Sequence, residues 1–147
     1  MRIDVDVIGD DAAARMLRAV GRRAIDVSPV WRRVAGVIMR RARDRFTAQH
    51  WRPLDADTIK RKGHARILHD TGRLQRALTV WNADGQRFYT DPDQMVFGLS
   101  PRGPAYYGAF HQHGRGVPRR EVVPGMSPRD ISQVKDALAE HIAGYRT

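Results

Sequence analysis

The chain has no cysteine and only two glutamates, Glu121 and Glu140. The first absence excludes disulfides and thiolate zinc sites, and it is compatible with a reducing cytoplasm. The second leaves acid–base chemistry to aspartate and histidine, since the two glutamates stand in unrelated contexts. Lysine is scarce as well: Lys60, Lys62 and Lys135 are the only lysines among 26 basic residues. Such a bias fits a GC-rich genome, so arginine is not read as chosen over lysine at any one position. No apolar run approaches the roughly 20 residues of a membrane span, and no membrane partner is expected. The opening "MRIDVDVIGDD" alternates and carries acids, unlike a signal peptide. There is no Gly-x-Ser-x-Gly elbow, phosphate loop or dinucleotide fingerprint, and no internal repeat or low-complexity tract.

What is present is a 147-residue chain with 41% hydrophobic residues spread along its length. That suits one domain over residues 1–147 with a modest core. The formal net charge is +10, and its placement is uneven. Residues 28–66 carry eleven basic and three acidic side chains, whereas 67–147 carry ten and eight, and 1–27 balance. A concentrated basic segment points to a polyanion, an acidic partner surface or a ring neighbour of opposite sign. The plainer alternative is a solvated helix face in an arginine-rich proteome.

The pattern along the chain implies an α+β fold. Ile3, Val5 and Val7 alternate with Asp4 and Asp6, as in a half-buried strand. Asp10 and Asp11 precede a helix whose inner stripe would be Leu17, Val20 and Ala24. Ser28-Pro29 opens a long helix over roughly 29–49, with Ser28 as a cap. Its apolar stripe is Trp31, Val34, Ala35, Ile38, Ala42 and Phe46, and Arg32, Arg33, Arg40 and Arg43 lie mostly off it. An extended loop follows, with a helical turn near Asp57–Lys62. A short helix capped by Asp70 or Thr71 then carries Leu74 and Leu78. "ALTVWN", "QRFYT" and "MVFGLS" read as a three-stranded antiparallel meander, separated by Ala83-Asp84-Gly85 and Asp91-Pro92-Asp93 turns. "PAYYGAFHQH" reads as a helix ended by Gly114. "REVVP" would add an edge strand. Ser127 and Asp130 form a capping box for a final helix with the stripe Ile131, Val134, Leu138, Ile142 and Tyr145. The expected architecture is a small antiparallel β-sheet, a meander plus edge strands, packed against the long helix and the C-terminal helix.

"GAFHQHGRG" (Gly108–Gly116) invites a metal or catalytic reading. His111 and His113 are two apart, which in a helix points their rings to opposite sides. His50, His64, His69 and His141 supply no third ligand at a useful spacing. "DADT" and "DPD" could hold magnesium in principle, but aspartate in turns and caps is far commoner. "GRGVPRR" could touch phosphates, though such stretches are more often exposed loops. No catalytic, metal or cofactor site is expected.

The order of motifs is more specific than any one of them. The chain runs "WRPLDADTIKRK" (Trp51–Lys62), "ILHDTGRLQRAL" (Ile67–Leu78), a hairpin ending "MVFGLS", "YYGAFHQHG" (Tyr106–Gly114) and "VPRREVVPGMSPRDISQV" (Val117–Val134). Over residues 51–135 this resembles the phage virion morphogenesis family, the tail-completion or neck proteins similar to the G protein of phage Mu. The chain differs from the family pattern at Tyr107-Gly108, where Tyr-Ala is usual. It also differs in its Pro-Arg segment, Pro118-Arg119-Arg120-Glu121, where an aromatic or apolar residue after the Arg is more usual. The resemblance implies a non-enzymatic virion protein without cofactor, assembled in the host bacterial cytoplasm into a homo-oligomeric ring. Such a ring sits at the head–tail junction or the head-proximal tail end, as a connector, neck or tail-terminator component. Its partners are portal-side connector and tail-tube proteins, with non-specific contact to DNA passing through the lumen. In that role Arg32, Arg33, Arg40 and Arg43 would face a partner or the lumen. His111, Gln112, Arg115, Arg119 and Arg120 would form a partner-contact loop. Trp51, Leu54, Leu68, Leu74 and Leu78 would anchor the middle of the chain. The alternative is a small basic nucleic-acid-binding protein.

Overall fold

The computed structural model describes residues 11–144, so the expected strand at Ile3–Val7 and the helical position of Tyr145 lie outside it. Among the described residues, six helices and one two-stranded antiparallel sheet give an α+β fold. The elements are α1 (Asp11–Ile25), α2 (Ser28–Ala48), α3 (Ala56–Lys62), α4 (Arg73–Thr79), β1 (Gln86–Thr90), β2 (Met95–Leu99), α5 (Gly108–His113) and α6 (Pro128–Ala143). No helix among the described residues is long and apolar enough to cross a membrane.

Helix α2 is the axis of the molecule. α4 packs on one side of it and α6 on another, and β2 touches both α2 and α4. Two apolar clusters result. The first joins Ala42 and Phe46 of α2 to Trp51, Ile67, Leu74, Leu78 and Val122. The second joins Val30 and Val34 of α2 to Ala137 of α6, with Val134, Leu138 and Met95 packed around them. Trp51, Leu74 and Leu78 are buried, while Leu54 and Leu68 are half-buried against the same cluster.

Several local expectations need correction. Ser28 does not cap α2; it is the first helical residue. The Asp26 carboxylate takes its role, accepting from Ser28 N–H at 3.0 Å and Ser28 Oγ at 2.6 Å. α4 is not capped by Asp70 or Thr71 but follows Gly72, whose φ of 75° turns the chain. "ALTVWN" is not a strand. Ala77 and Leu78 are fully buried against α2, so tertiary packing keeps them in α4 and the sheet has two strands. "REVVP" forms no strand either; a side chain of α5 occupies its backbone groups, as described below. In α1, Leu17 is 70% exposed and Ala24 is exposed, with Val20 half-buried; α1 packs chiefly against α6. On α6, Ile131 is exposed, and Ala137 rather than Ile131 enters the core.

The hairpin pairs Gln86 with Leu99 through Thr90 with Met95. Its turn is tied to the start of α2: Val27 N–H donates to the Pro92 carbonyl at 3.0 Å, and Trp31 Nε1 donates to the Asp91 carbonyl at 2.8 Å. The Ser127–Asp130 capping box is present. It does more than cap, because Asp130 also meets Arg41 at 3.0 Å and Arg40 at 3.6 Å and so locks α6 to α2.

That lock predicts an acid response. Ser127's hydroxyl, then its N–H, then Arg41 and Arg40 hold the Asp130 carboxyl below its ordinary range. Burial, then Arg120, holds His111 below the ordinary histidine value, partly offset by the Pro118 carbonyl. In both cases the unfolded chain binds protons more readily, so acid favours unfolding. Stability is therefore lost as pH falls through the ordinary histidine range, and again below the ordinary carboxylate range. Thermal melts across that window should show both losses. Asp130→Asn should melt lower at neutral pH and show a shallower acid limb; a variant whose profile superposes on the wild type would contradict the lock.

Candidate functional site

The loops beyond the C-terminal end of α2 enclose an open cleft of about 990 Å³. Two glutamines build it. Gln49 follows α2 in the left-handed region, and its amide clasps the next segment: Oε1 accepts from Ile67 N–H at 2.6 Å, and Nε2 donates to the Phe46 carbonyl at 2.7 Å. Gln112 does the same from α5. Its Oε1 accepts from Val122 and Val123 N–H at 2.8 and 3.0 Å, and its Nε2 donates to the Val123 carbonyl at 3.2 Å. A side-chain amide carries the same donor and acceptor as a peptide group, so each glutamine satisfies a stretch of backbone that has no strand partner. This is why 121–124 needs no sheet partner although its backbone bends at Val122 and Val123.

Trp51 ties the two halves together. Its Nε1 donates to the Glu121 carbonyl at 2.9 Å, and its ring stands edge-on to Phe46 with centroids 5.3 Å apart. Leu68 lines the cleft with φ of 54°, a left-handed backbone that a leucine adopts only when its surroundings impose it. Asp55 caps α3 by accepting from Thr58 N–H at 2.8 Å.

The cleft is basic. Arg52, Arg61, Lys62, Arg73 and Arg120 line it against Asp55 and Asp70. Arg120 is only 7% exposed. Its Nε and Nη2 both lie 3.4 Å from the Arg52 carbonyl, and its N–H donates to the His111 carbonyl at 2.8 Å. Burial, then the neighbouring Arg52 charge, lowers its pKa, with Asp55 opposing. Tyr107 also lines the cleft, and burial raises its hydroxyl pKa.

The partner-contact loop expected at 111–120 therefore divides. Arg115 and Arg119 are exposed and free to meet a neighbour. Gln112 and Arg120 are turned into their own chain, because the backbone of 121–123 and the Arg52 carbonyl need donors and acceptors there. His111 is half-buried beside Tyr107, and His113 is exposed. No group of three or more histidines and carboxylates that could hold a metal is brought together among the described residues.

The arginines of α2 do not form one free face. Arg33 meets Glu140 at 2.8 Å and Arg40 donates to Gln133 at 2.8 Å, both on α6. On another side, Arg32 lies over the Trp81 ring at 4.6 Å and Arg43 donates to the Thr79 carbonyl at 2.9 Å. The reason is that α2 is flanked on two sides, so long arginine stems lie across both seams. The pairs remain partly in solvent, with Arg33 and Arg40 about half exposed.

The class defined by fold and site is thus a small α+β domain with a basic cleft between loops that two side-chain amides hold in place. Comparison of the chain with protein-family models, curated proteins and solved structures returns no match.

Proposed function

We propose that the protein is a structural virion component of a phage. In this reading it forms a homo-oligomeric ring at the head–tail junction or the head-proximal end of the tail, and DNA passes through the ring. One observation carries the reading. Four of the five segments of the resemblance, separated in sequence, build a single feature: parts of "WRPLDADTIKRK", "ILHDTGRLQRAL", "YYGAFHQHG" and the opening of "VPRREVVPGMSPRDISQV" all contribute to the walls of one cleft, while the hairpin does not. Trp51, Gln112 and the Leu74–Gly108 packing are what join them. Motifs that define one surface together suit a contact made between subunits or with connector and tail-tube proteins. The role requires no catalysis and no cofactor. The location that follows is the virion neck or tail, after assembly in the host cytoplasm.

The net charge of +10 and the basic cleft also favour the alternative, a small nucleic-acid-binding protein. The two readings separate by electron microscopy and a binding series on the purified protein. The ring reading expects annular particles of uniform diameter at high protein concentration. Monomers that bind duplex DNA with affinity falling steeply with salt, through counterion release, would overturn it in favour of the alternative.

A further inference from the structure

Arg120 lines the cleft with no carboxylate at ion-pair distance, and Asp55 acts on it only from farther away. Neither its residue nor its guanidinium takes part in an ion pair among the described residues. Its only acceptor is one peptide carbonyl at 3.4 Å, shared between two of its nitrogens. A guanidinium buried this far ordinarily rests on an oxyanion, because desolvating an unpaired charge is costly. The rim strengthens that demand. Arg61 and Arg73 are exposed there, and of the two lining acids Asp55 is engaged in capping α3. Planar, fork-shaped and fixed, Arg120 matches a carboxylate in bidentate geometry.

The β1–β2 turn, at the opposite end of α2, is acidic. The β1–β2 turn is fastened to the first turn of α2, and the cleft opens beyond its last. Twenty-one helical residues separate them by about 30 Å. Residues 88–101 contain Asp91 and Asp93 and no basic side chain. Asp91 is occupied by the Tyr89 hydroxyl and Gln94. Asp93 is exposed and makes no hydrogen bond or ion pair among the described residues. A socket at one end and a plug at the other define a head-to-tail contact, the kind that closes into rings.

We propose that the Asp91–Gln94 turn of one copy seats in the basic cleft of the next, with the Asp93 carboxylate against the Arg120 guanidinium. This rests on the ring reading and gives the ring its contact and direction. Duplex DNA suits the cleft less well. Its phosphates lie on the convex surface of a stiff cylinder and do not reach a floor residue that is 7% exposed. A single strand would need open aromatic platforms, and the rings that line the cleft, His69, Tyr107 and His111, are all half-buried.

The test is a charge swap between two variants at exposed positions. Asp93→Lys makes the turn basic and leaves the cleft basic. Arg61→Asp with Arg73→Asp makes the rim acidic and leaves the turn acidic. Each variant alone should associate at least about tenfold more weakly than the wild type by sedimentation velocity near about 0.15 M salt. An equimolar mixture should recover association by sedimentation velocity, because the turn of each variant then meets the rim of the other at opposite sign. If the wild type forms rings and either variant alone does so equally well, this contact is overturned and the ring reading stands. A wild type that stays monomeric overturns both. If the rim variant keeps its rings but loses binding to a duplex oligonucleotide, the cleft belongs to nucleic acid and the contact is overturned.

Discussion

Trp51→Ala should lower the unfolding free energy by about 3–5 kcal/mol, the range for deleting a large buried aromatic. The side chain is 8% exposed and does three things at once. It packs edge-on against Phe46, its indole N–H satisfies the Glu121 carbonyl, and the Arg45 guanidinium lies 5.8 Å over its ring. The alanine variant loses the packing and leaves that carbonyl without its donor. Trp51→Phe separates the terms, keeping much of the packing and losing the hydrogen bond, for about 1 kcal/mol from the bond itself. Denaturant melts of the two variants check this. If Trp51→Ala were no less stable than Trp51→Phe, the indole would not be the joint between the α2 end and the 121–123 segment.

The second large effect lies where α4 meets α5. Leu74 is fully buried, and Leu74→Ala should cost about 2–5 kcal/mol. Gly108 is buried directly opposite, and a Cβ there would collide with the terminal methyls of Leu74 and Leu99. Gly108→Ala should therefore cost about 1–3 kcal/mol through overpacking. The two substitutions act on one space, so they should not add. In the double variant the new methyl enters the volume that Leu74 vacates, and the total loss should fall below the sum by more than about 0.5 kcal/mol. Strict additivity would show that the α4–α5 contact is not as close as described. The same contact explains why glycine stands at 108.

Much of this fold was legible because local chemistry and tertiary packing agree. The 3.6-residue stripe of α2, the Ser127–Asp130 box of α6 and the Asp91–Gln94 turn each follow from short-range rules, and each is present. The failures have one cause. Ala77–Thr79 carries β-branched neighbours and alternates, yet Leu74 and Leu78 on the same helical face outweigh that preference once α2 covers them. Val122 and Val123 look like a strand and have strand-like backbone needs, but Gln112 meets those needs at long range. A glutamine near a helix end looks like ordinary surface polarity in a sequence, and nothing short-range marks Gln49 or Gln112 as a clasp. Arg120, expected in an outward partner-contact loop, is buried instead for a related reason. It follows Arg119 in an exposed-looking loop, and only the folded chain turns one of the pair inward. The arginine face of α2 was visible as charge but not as two seams, because the positions of α4 and α6 around it are tertiary facts.

The claim on which the functional account depends is that copies of this chain close into a ring. Native mass spectrometry of the purified protein, taken across a concentration series, measures that directly. The account predicts one dominant oligomer of fixed subunit number that persists on dilution and gives way to monomer when Asp93 is changed to Lys. A wild-type spectrum containing only the 16.7 kDa monomer at every concentration would contradict it.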